Sequence, residues 1–183
     1  MTVRYTKGEA MPLETRVTAQ KPTPKTLPTN AAASLKLSSQ LCFVTYSAAQ
    51  AFTRVYRQLL DPLGLTYPQY LVLLVLWEQD GLTVKELGQK LFLDSGTLTP
   101  LLKRLQAAGT VDRTRDAEDE RQVRITLTQQ GRELQEPVKH AWDQVVCSVG
   151  LAPEEFEVLK AQITCLRDTL HAAADRETIK TAA

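Results

Sequence analysis

The chain has 183 residues, 43% hydrophobic and 23% charged, at a formal net charge of +1: the make-up of one globular domain with tails, with no bulk charge to argue for nucleic-acid binding. No stretch approaches the roughly 20 apolar residues of a membrane span, and the N-terminus lacks the continuous apolar segment of a secretory signal. Its 3 cysteines are odd in number and too widely spaced for a secreted disulfide framework, so the expected compartment is the cytoplasm, where a disulfide is transient and regulatory.

Residues 1–33 read as a disordered tail: Pro12, Pro22, Pro24 and Pro28 interrupt it, and its scattered apolar residues cannot offset the entropy of ordering. From Ser34, an expected N-cap, to Asp61 the pattern is helical, with Leu37, Leu41, Val44, Ala48, Phe52, Val55 and Leu59 at steps of three and four. Asp61-Pro62-Leu63-Gly64 stops that helix. A second helix starts near Pro68 and runs through Leu71, Leu74 and Val75 to Gln79. At Thr83 a capping box with Glu86 opens a third, with Val84, Leu87 and Leu91 as its buried stripe. A fourth spans Ser95 to Ala107 and ends at Gly109. Two short strands follow, about Thr110 to Thr114 and then Val123, Ile125 and Leu127 alternating with Arg124 and Thr126, joined by the polar loop Arg115 to Arg121. Thr128 caps a helix from Gln129 to Val149 in which Gly131 and Pro137 are weak points. The last helix begins at Pro153 and carries the stripe Phe156, Leu159, Ile163, Leu166, Leu170 to about Ala174, leaving 176–183 as a flexible end.

The fold class is therefore mainly α with a small β-hairpin wing. Two helices joined by a short turn and followed by a hairpin have the layout of a winged helix-turn-helix. Leu98, Leu101, Leu102 and Leu105 seat the second of these helices on the core. Its other face offers Ser95, Thr97, Thr99, Lys103 and Gln106, with Arg104 beside them, to base edges and phosphates. The hairpin adds Arg113, Arg115, Arg121 and Arg124, and an Arg at a wing tip suits a minor groove. A solvated surface would look similar: six basic residues between Lys103 and Arg124 face five acidic ones. Pro100, inside the helix, costs it a hydrogen bond.

Cys42 sits among apolar residues with Tyr46 at i+4, on the same helix face. Tyr56 is 14 residues further on, about 21 Å along one helix, so it reaches Cys42 only from a second, crossing copy. A phenol that donates to sulfur favours the thiolate, the form that attacks a peroxide O–O bond. The ordinary alternative is a buried core cysteine with packed tyrosines. From the residues alone both stay open.

Several motifs decide between these readings by resemblance. Pro68-Gln69-Tyr70, Leu82 to Gly88, Leu93 to Leu105 with Pro100, and Asp116 to Arg121 with its Asp119-x-Arg121 resemble the MarR family of dimeric repressors over about residues 36–174. The resemblance implies a homodimer built by the first and last helices (about 34–61 and 129–175), a DNA-binding lobe of about 66–128, and a pseudo-palindromic operator. It implies Arg121 in a minor groove with Asp119 orienting it. Leu41-Cys42-Phe43, Tyr46, Tyr56, Leu60 to Tyr70 with Tyr67, and Trp77-Glu78 are similar to the organic-hydroperoxide-sensing branch, the OhrR type. That likeness implies a peroxidatic Cys42, thiolate-stabilising Tyr46, Tyr56 and Tyr67, and a resolving Cys147 that forms an intersubunit disulfide and releases the operator. Cys165 receives no role. Two rival functions are a repressor of the same family released by an aromatic anion, and a thiol peroxidase using Cys42. His140 and His171 fall in no Cys–His arrangement, and neither a metal spacing nor a cofactor motif is expected.

Overall fold

The computed structural model describes residues 35–116 and 119–181. The expected tail 1–33, the expected cap Ser34, the wing residues Ala117 and Glu118, and the end of the expected flexible C-terminus, 182–183, lie outside them. The chain divides into two compact units, Met1–Val44 and Thr45–Ala183.

The first long helix, α1, spans Leu41–Leu60 rather than starting at Ser34. A 3-10 turn, Leu37–Ser39, precedes it, and Gln40 is extended. Ser38 and Ser39 explain the delay, since Ser competes with the helix for its own backbone groups. The Gln40 carbonyl accepts from the N–H groups of Phe43 (3.1 Å) and Val44 (3.2 Å), which opens α1. Cys42 therefore lies in a first turn, not inside a helix.

Helix α2, Tyr67–Glu78, starts at a capping box in which Gln69 accepts from the Thr66 N–H at 2.8 Å. It is apolar on nearly every side, as a helix enclosed by neighbours must be: Tyr70, Val72, Leu73 and Leu76 are all buried. Strand β1, Leu82–Thr83, is an element the sequence pattern does not announce. Thr83 then caps α3, Val84–Leu91, and Asp94 caps α4, Ser95–Ala107. The turn between α3 and α4 closes with the Leu93 N–H on the Gly88 carbonyl at 3.0 Å and Phe92 left-handed at φ 55°. A Cβ at Gly88 would lie 2.7 Å from the Leu93 carbonyl oxygen, so only glycine fits there.

Strands β2, Val111–Arg115, and β3, Val123–Leu127, form the wing, and β1 joins the free edge of β3 to give the antiparallel order β1-β3-β2. Val111 faces Leu127, and Arg113 faces Ile125. Leu87, Leu98, Leu102, Leu105 and Ile125 are fully buried in one core with the α2 residues, each contributing about 1.5–3 kcal/mol by burial.

The expected helix from Gln129 to Val149 is two: α5, Gln129–Glu133, and α6, Gln135–Val149, with the break at Leu134. Pro137 has no N–H for the Glu133 carbonyl, so the helix cannot run through. Gly131 packs so closely that a Cβ there would sit 2.0 Å from the Thr110 oxygen, and its carbonyl accepts from the Trp77 indole at 3.0 Å. These contacts root α5 on the lobe. Helix α7 runs Pro153–Thr181, past the expected end at Ala174, because no Gly or Pro follows to stop it.

Candidate DNA-reading surface and thiol site

The N-terminus of α4 is built around Asp94. Its carboxylate accepts from the Thr97 N–H at 2.9 Å and the Thr97 hydroxyl at 2.8 Å, which holds it below the usual carboxylate range. The Thr99 hydroxyl donates to the Ser95 carbonyl at 2.6 Å. Both hydroxyls keep lone pairs to accept with, and Ser95 and Thr97 are exposed. Pro100 leaves the Gly96 carbonyl without its helical partner at an exposed position, where water or a donor can satisfy it.

The wing turn is organised by Asp119 through the main chain. Its carboxylate accepts from the Arg121 backbone N–H at 3.0 Å and the Gln122 side-chain amide at 3.1 Å. This leaves the exposed Arg121 side chain at the turn. Arg124, expected among the basic groups offered to DNA, is engaged inward. Its Nε donates to Asp116 at 2.9 Å, with a second contact from its other nitrogen, and it also donates to the Gly81 carbonyl. Asp116 is buried, so this pair braces the hairpin, and the Gly81 bond ties the wing to the segment ahead of β1.

The two arms meet. Ser95 and Thr99 of α4 and Arg113 and Arg121 of the wing line one cleft of about 1030 Å³, together with Lys85 and His171. Among its described lining residues there is no carboxylate. That answers the near-neutral charge count of the sequence: Asp116 is spent on Arg124 and Asp119 on the turn, so the cleft is left positive. Arg113 is half-buried, its Nε enclosed without a protein partner. Thr97, Lys103, Arg104 and Arg115 are exposed and do not line the cleft. Lys85, in the first turn of α3, is the cleft's additional cation and a residue the sequence did not single out.

Cys42, in the first turn of α1, is exposed, with its thiol 3.9 Å from the Gln40 side-chain oxygen. A helix N-terminus favours negative charge. Tyr46 is exposed as well. Tyr56, near the other end of α1, stacks with α2: its ring centroid is 4.7 Å from Tyr67 and 5.3 Å from Tyr70. Tyr70 was missed as a site residue, although its i+3 spacing from Tyr67 puts both on one face of α2. Burial pushes all three phenols above their ordinary range, and for Tyr56 the neighbouring Tyr70 adds to it by charge and hydrogen bond. They therefore stay protonated, as donors, at neutral pH. Cys147 on α6 and Cys165 on α7 are both exposed.

A further contact escaped the sequence. The left-handed, exposed Phe92 stacks on His171 at 4.8 Å, with the Arg167 guanidinium 4.6 Å from its ring, and so links α7 to the helix-turn-helix. No single helix among the described residues is long and apolar enough to cross a membrane.

A family model described as transcriptional regulator SarA/Rot matches residues 54–138. The chain is 56% identical over 138 residues to the HTH-type transcriptional regulator TtmR of Methylorubrum extorquens, covering 75% of this chain and 71% of that protein. It is 45% identical over 137 residues to the organic hydroperoxide resistance transcriptional regulator of Bacillus subtilis, covering 75% and 93%. Among solved structures it is similar to reduced AbfR bound to DNA, at 42% identity and a TM-score of 0.65 over 74% of this chain and 92% of that one. The chain therefore belongs to the MarR family of winged-helix transcriptional regulators, in the branch that holds the organic hydroperoxide resistance regulator.

Proposed function

We propose that this protein is a cytoplasmic, homodimeric repressor that reads operator DNA with α4 and the wing and releases it when an organic hydroperoxide oxidises Cys42. One observation carries the reading. An exposed thiol occupies the first turn of α1, and the tyrosine cluster sits near the far end of the same helix. Along one helix the two are too far apart to meet, so a crossing copy is what joins them. The apolar faces left open on the chain supply the surface for that copy: Leu41, Phe43, Val44 and Phe52 on α1, and Val158, Leu159, Ile163 and Leu170 on α7.

In this scheme Tyr46 of the same chain and Tyr56 and Tyr67 of the partner donate to the Cys42 sulfur. The thiolate attacks the peroxide O–O bond; sulfur takes the terminal oxygen as a sulfenic acid, and the alkoxide leaves and is protonated to the alcohol. The Cys147 thiolate of the partner then attacks the sulfenic sulfur, forming a disulfide, and the hydroxide that leaves is protonated to water. Helix α6, which carries Cys147, is rooted on the lobe through α5, Gly131 and Trp77, so a pull on α6 reaches α4 and the wing. The relatives support this chemistry: AbfR has been solved with its disulfide formed, at 38% identity to this chain and a TM-score of 0.54. A sensor of this kind turns over once per oxidation and is not an enzyme; a thiol reductant resets it.

In the DNA complex Ser95, Thr97 and Thr99 approach the major groove from the N-terminal end of α4. Lys103, Arg104, Arg113 and Arg115 meet phosphates, and Arg121, set by Asp119, enters the minor groove. The test is operator binding before and after cumene hydroperoxide. The wild-type complex dissociates, and the Cys42→Ser protein binds the same operator and stays on it. Release of Cys42→Ser by hydroperoxide refutes the proposal, and release by an aromatic anion in place of peroxide favours a ligand-gated repressor.

A further inference from the structure

Tyr70 is buried, with 2% of its surface exposed, and its ring centroid lies 5.3 Å from Tyr56 and 6.2 Å from Tyr67. A phenylalanine would fill the same space without burying a hydroxyl, which is costly unless the hydroxyl finds a partner. Tyr56 is the phenol packed beside it, and the charge and side-chain hydrogen bonding of Tyr70 add to the burial that pushes Tyr56 up. Tyr70 also lines a cavity with Leu74, Trp77, Glu78, Val138 and Lys139 at the junction of α2 and α6.

We propose that Tyr70 is a positioning residue for the sensing thiol: it holds the Tyr56 hydroxyl, and donates to it once Tyr56 donates to Cys42 of the partner subunit. The inference rests on the function proposed above and adds a residue to it. A hydroxyl has one proton to give. With no anion near, Tyr56 spends its proton on Tyr70. When a thiolate arrives, Tyr56 turns its O–H to the sulfur, the stronger acceptor, and Tyr70 turns its own O–H to the Tyr56 oxygen. No covalent bond changes. One neutral hydrogen bond is exchanged for a chain of two that ends on a charge. Charge-assisted bonds are about twice as strong as neutral ones, and members of a chain polarise each other. Tyr70 thus favours the thiolate over the thiol, and it does so only through Tyr56.

The experiment measures the rate constant of the full-length dimer with cumene hydroperoxide across pH. Tyr70→Phe is expected to slow the reaction about threefold near neutral pH and to move the midpoint of the pH–rate profile up by about half a unit. Tyr56→Phe slows it further, and the double variant Tyr56→Phe with Tyr70→Phe equals Tyr56→Phe alone. A Tyr70→Phe protein as fast as wild type or faster, or a double variant slower than Tyr56→Phe, overturns the proposal. Operator binding by the reduced variant establishes that it folds. Should it not bind, 3-fluorotyrosine at position 70 decides instead: the same shape with a more acidic phenol speeds the reaction, and an unchanged or slower rate overturns the proposal. The functional reading fails separately. If wild-type Cys42 does not react, or Tyr56→Phe reacts at the wild-type rate, both fall; if only the position-70 arms disagree, only Tyr70 loses its role.

Discussion

The lobe from Tyr67 to Leu127 and the helices at the two ends of the chain treat their apolar residues in opposite ways. Leu98, Leu102 and Leu105 are 0% exposed, whereas Leu159, Ile163 and Leu170 are 41%, 50% and 61% exposed. One chain closes the core of its DNA reader. The helices that carry Cys42 and Cys165 leave apolar residues open, Leu41 and Val44 on the first and Ile163 and Leu170 on the last. The reader is complete in one copy, and the sensor as proposed needs two.

Paired truncations break or sharpen that contrast most strongly. Leu102→Ala removes a fully buried side chain and is expected to cost about 2–5 kcal/mol in urea unfolding, at any protein concentration. Leu159→Ala, on the open face of α7, is expected to weaken the dimer instead, so that its unfolding midpoint falls as the protein is diluted. A concentration-independent loss in Leu159→Ala would mean that the terminal helices are stable on their own.

Within the reader, Arg121→Ala is expected to weaken operator binding by about 1–3 kcal/mol with little change in stability. Arg124→Ala should do the reverse, since its partner Asp116 is buried: a stability loss of about 1–3 kcal/mol, seen in the unfolding midpoint of the free protein. Thr83→Ala removes a cap and is expected to cost about 1 kcal/mol. The Thr83 backbone N–H and then its hydroxyl hold the Glu86 carboxyl below its usual range. Its stabilisation is thus present at neutral pH and lost as pH falls through the depressed folded value, and Thr83→Ala, which removes only the hydroxyl's share, should make that acid limb shallower.

The smallest effect at working pH concerns the tyrosines. Burial raises Tyr56, Tyr67 and Tyr70, so above the ordinary phenol value of about 10 the unfolded chain ionises before the folded one. Their contribution is complete below that point and declines as pH rises past it. The unfolding midpoint should drop from pH ~8 to ~10.5, and the drop should be shallower in Tyr67→Phe.

Most of the reader is legible in the chain because its signals are local. Thr83 with Glu86 marks a helix start by side-chain chemistry, and the alternation at Val123, Ile125 and Leu127 marks a strand. What escaped was longer in range or too short to repeat. Two residues of β1 have no period, and the partner that turns Arg124 inward lies across the hairpin at Asp116. Hydrophobic spacing continued from Leu37 to Leu41 and hid the 3-10 turn between them, so Cys42 read as mid-helix. Pro137 marked the break before α6 correctly, because a missing N–H acts on one known carbonyl. The cluster of Tyr56, Tyr67 and Tyr70 joins two helices, and no single-helix pattern announces it.

The central claim, that two chains build one sensor, is tested most directly by mixed dimers. One chain carries Cys42→Ser and the other Cys147→Ser, both in a Cys165→Ser background, so that Cys42 and Cys147 survive only on different subunits. After cumene hydroperoxide and non-reducing electrophoresis, the account predicts a covalent band at twice the chain mass that a reductant removes. If that band is missing while a chain keeping both Cys42 and Cys147 forms its disulfide within one subunit, the account is contradicted.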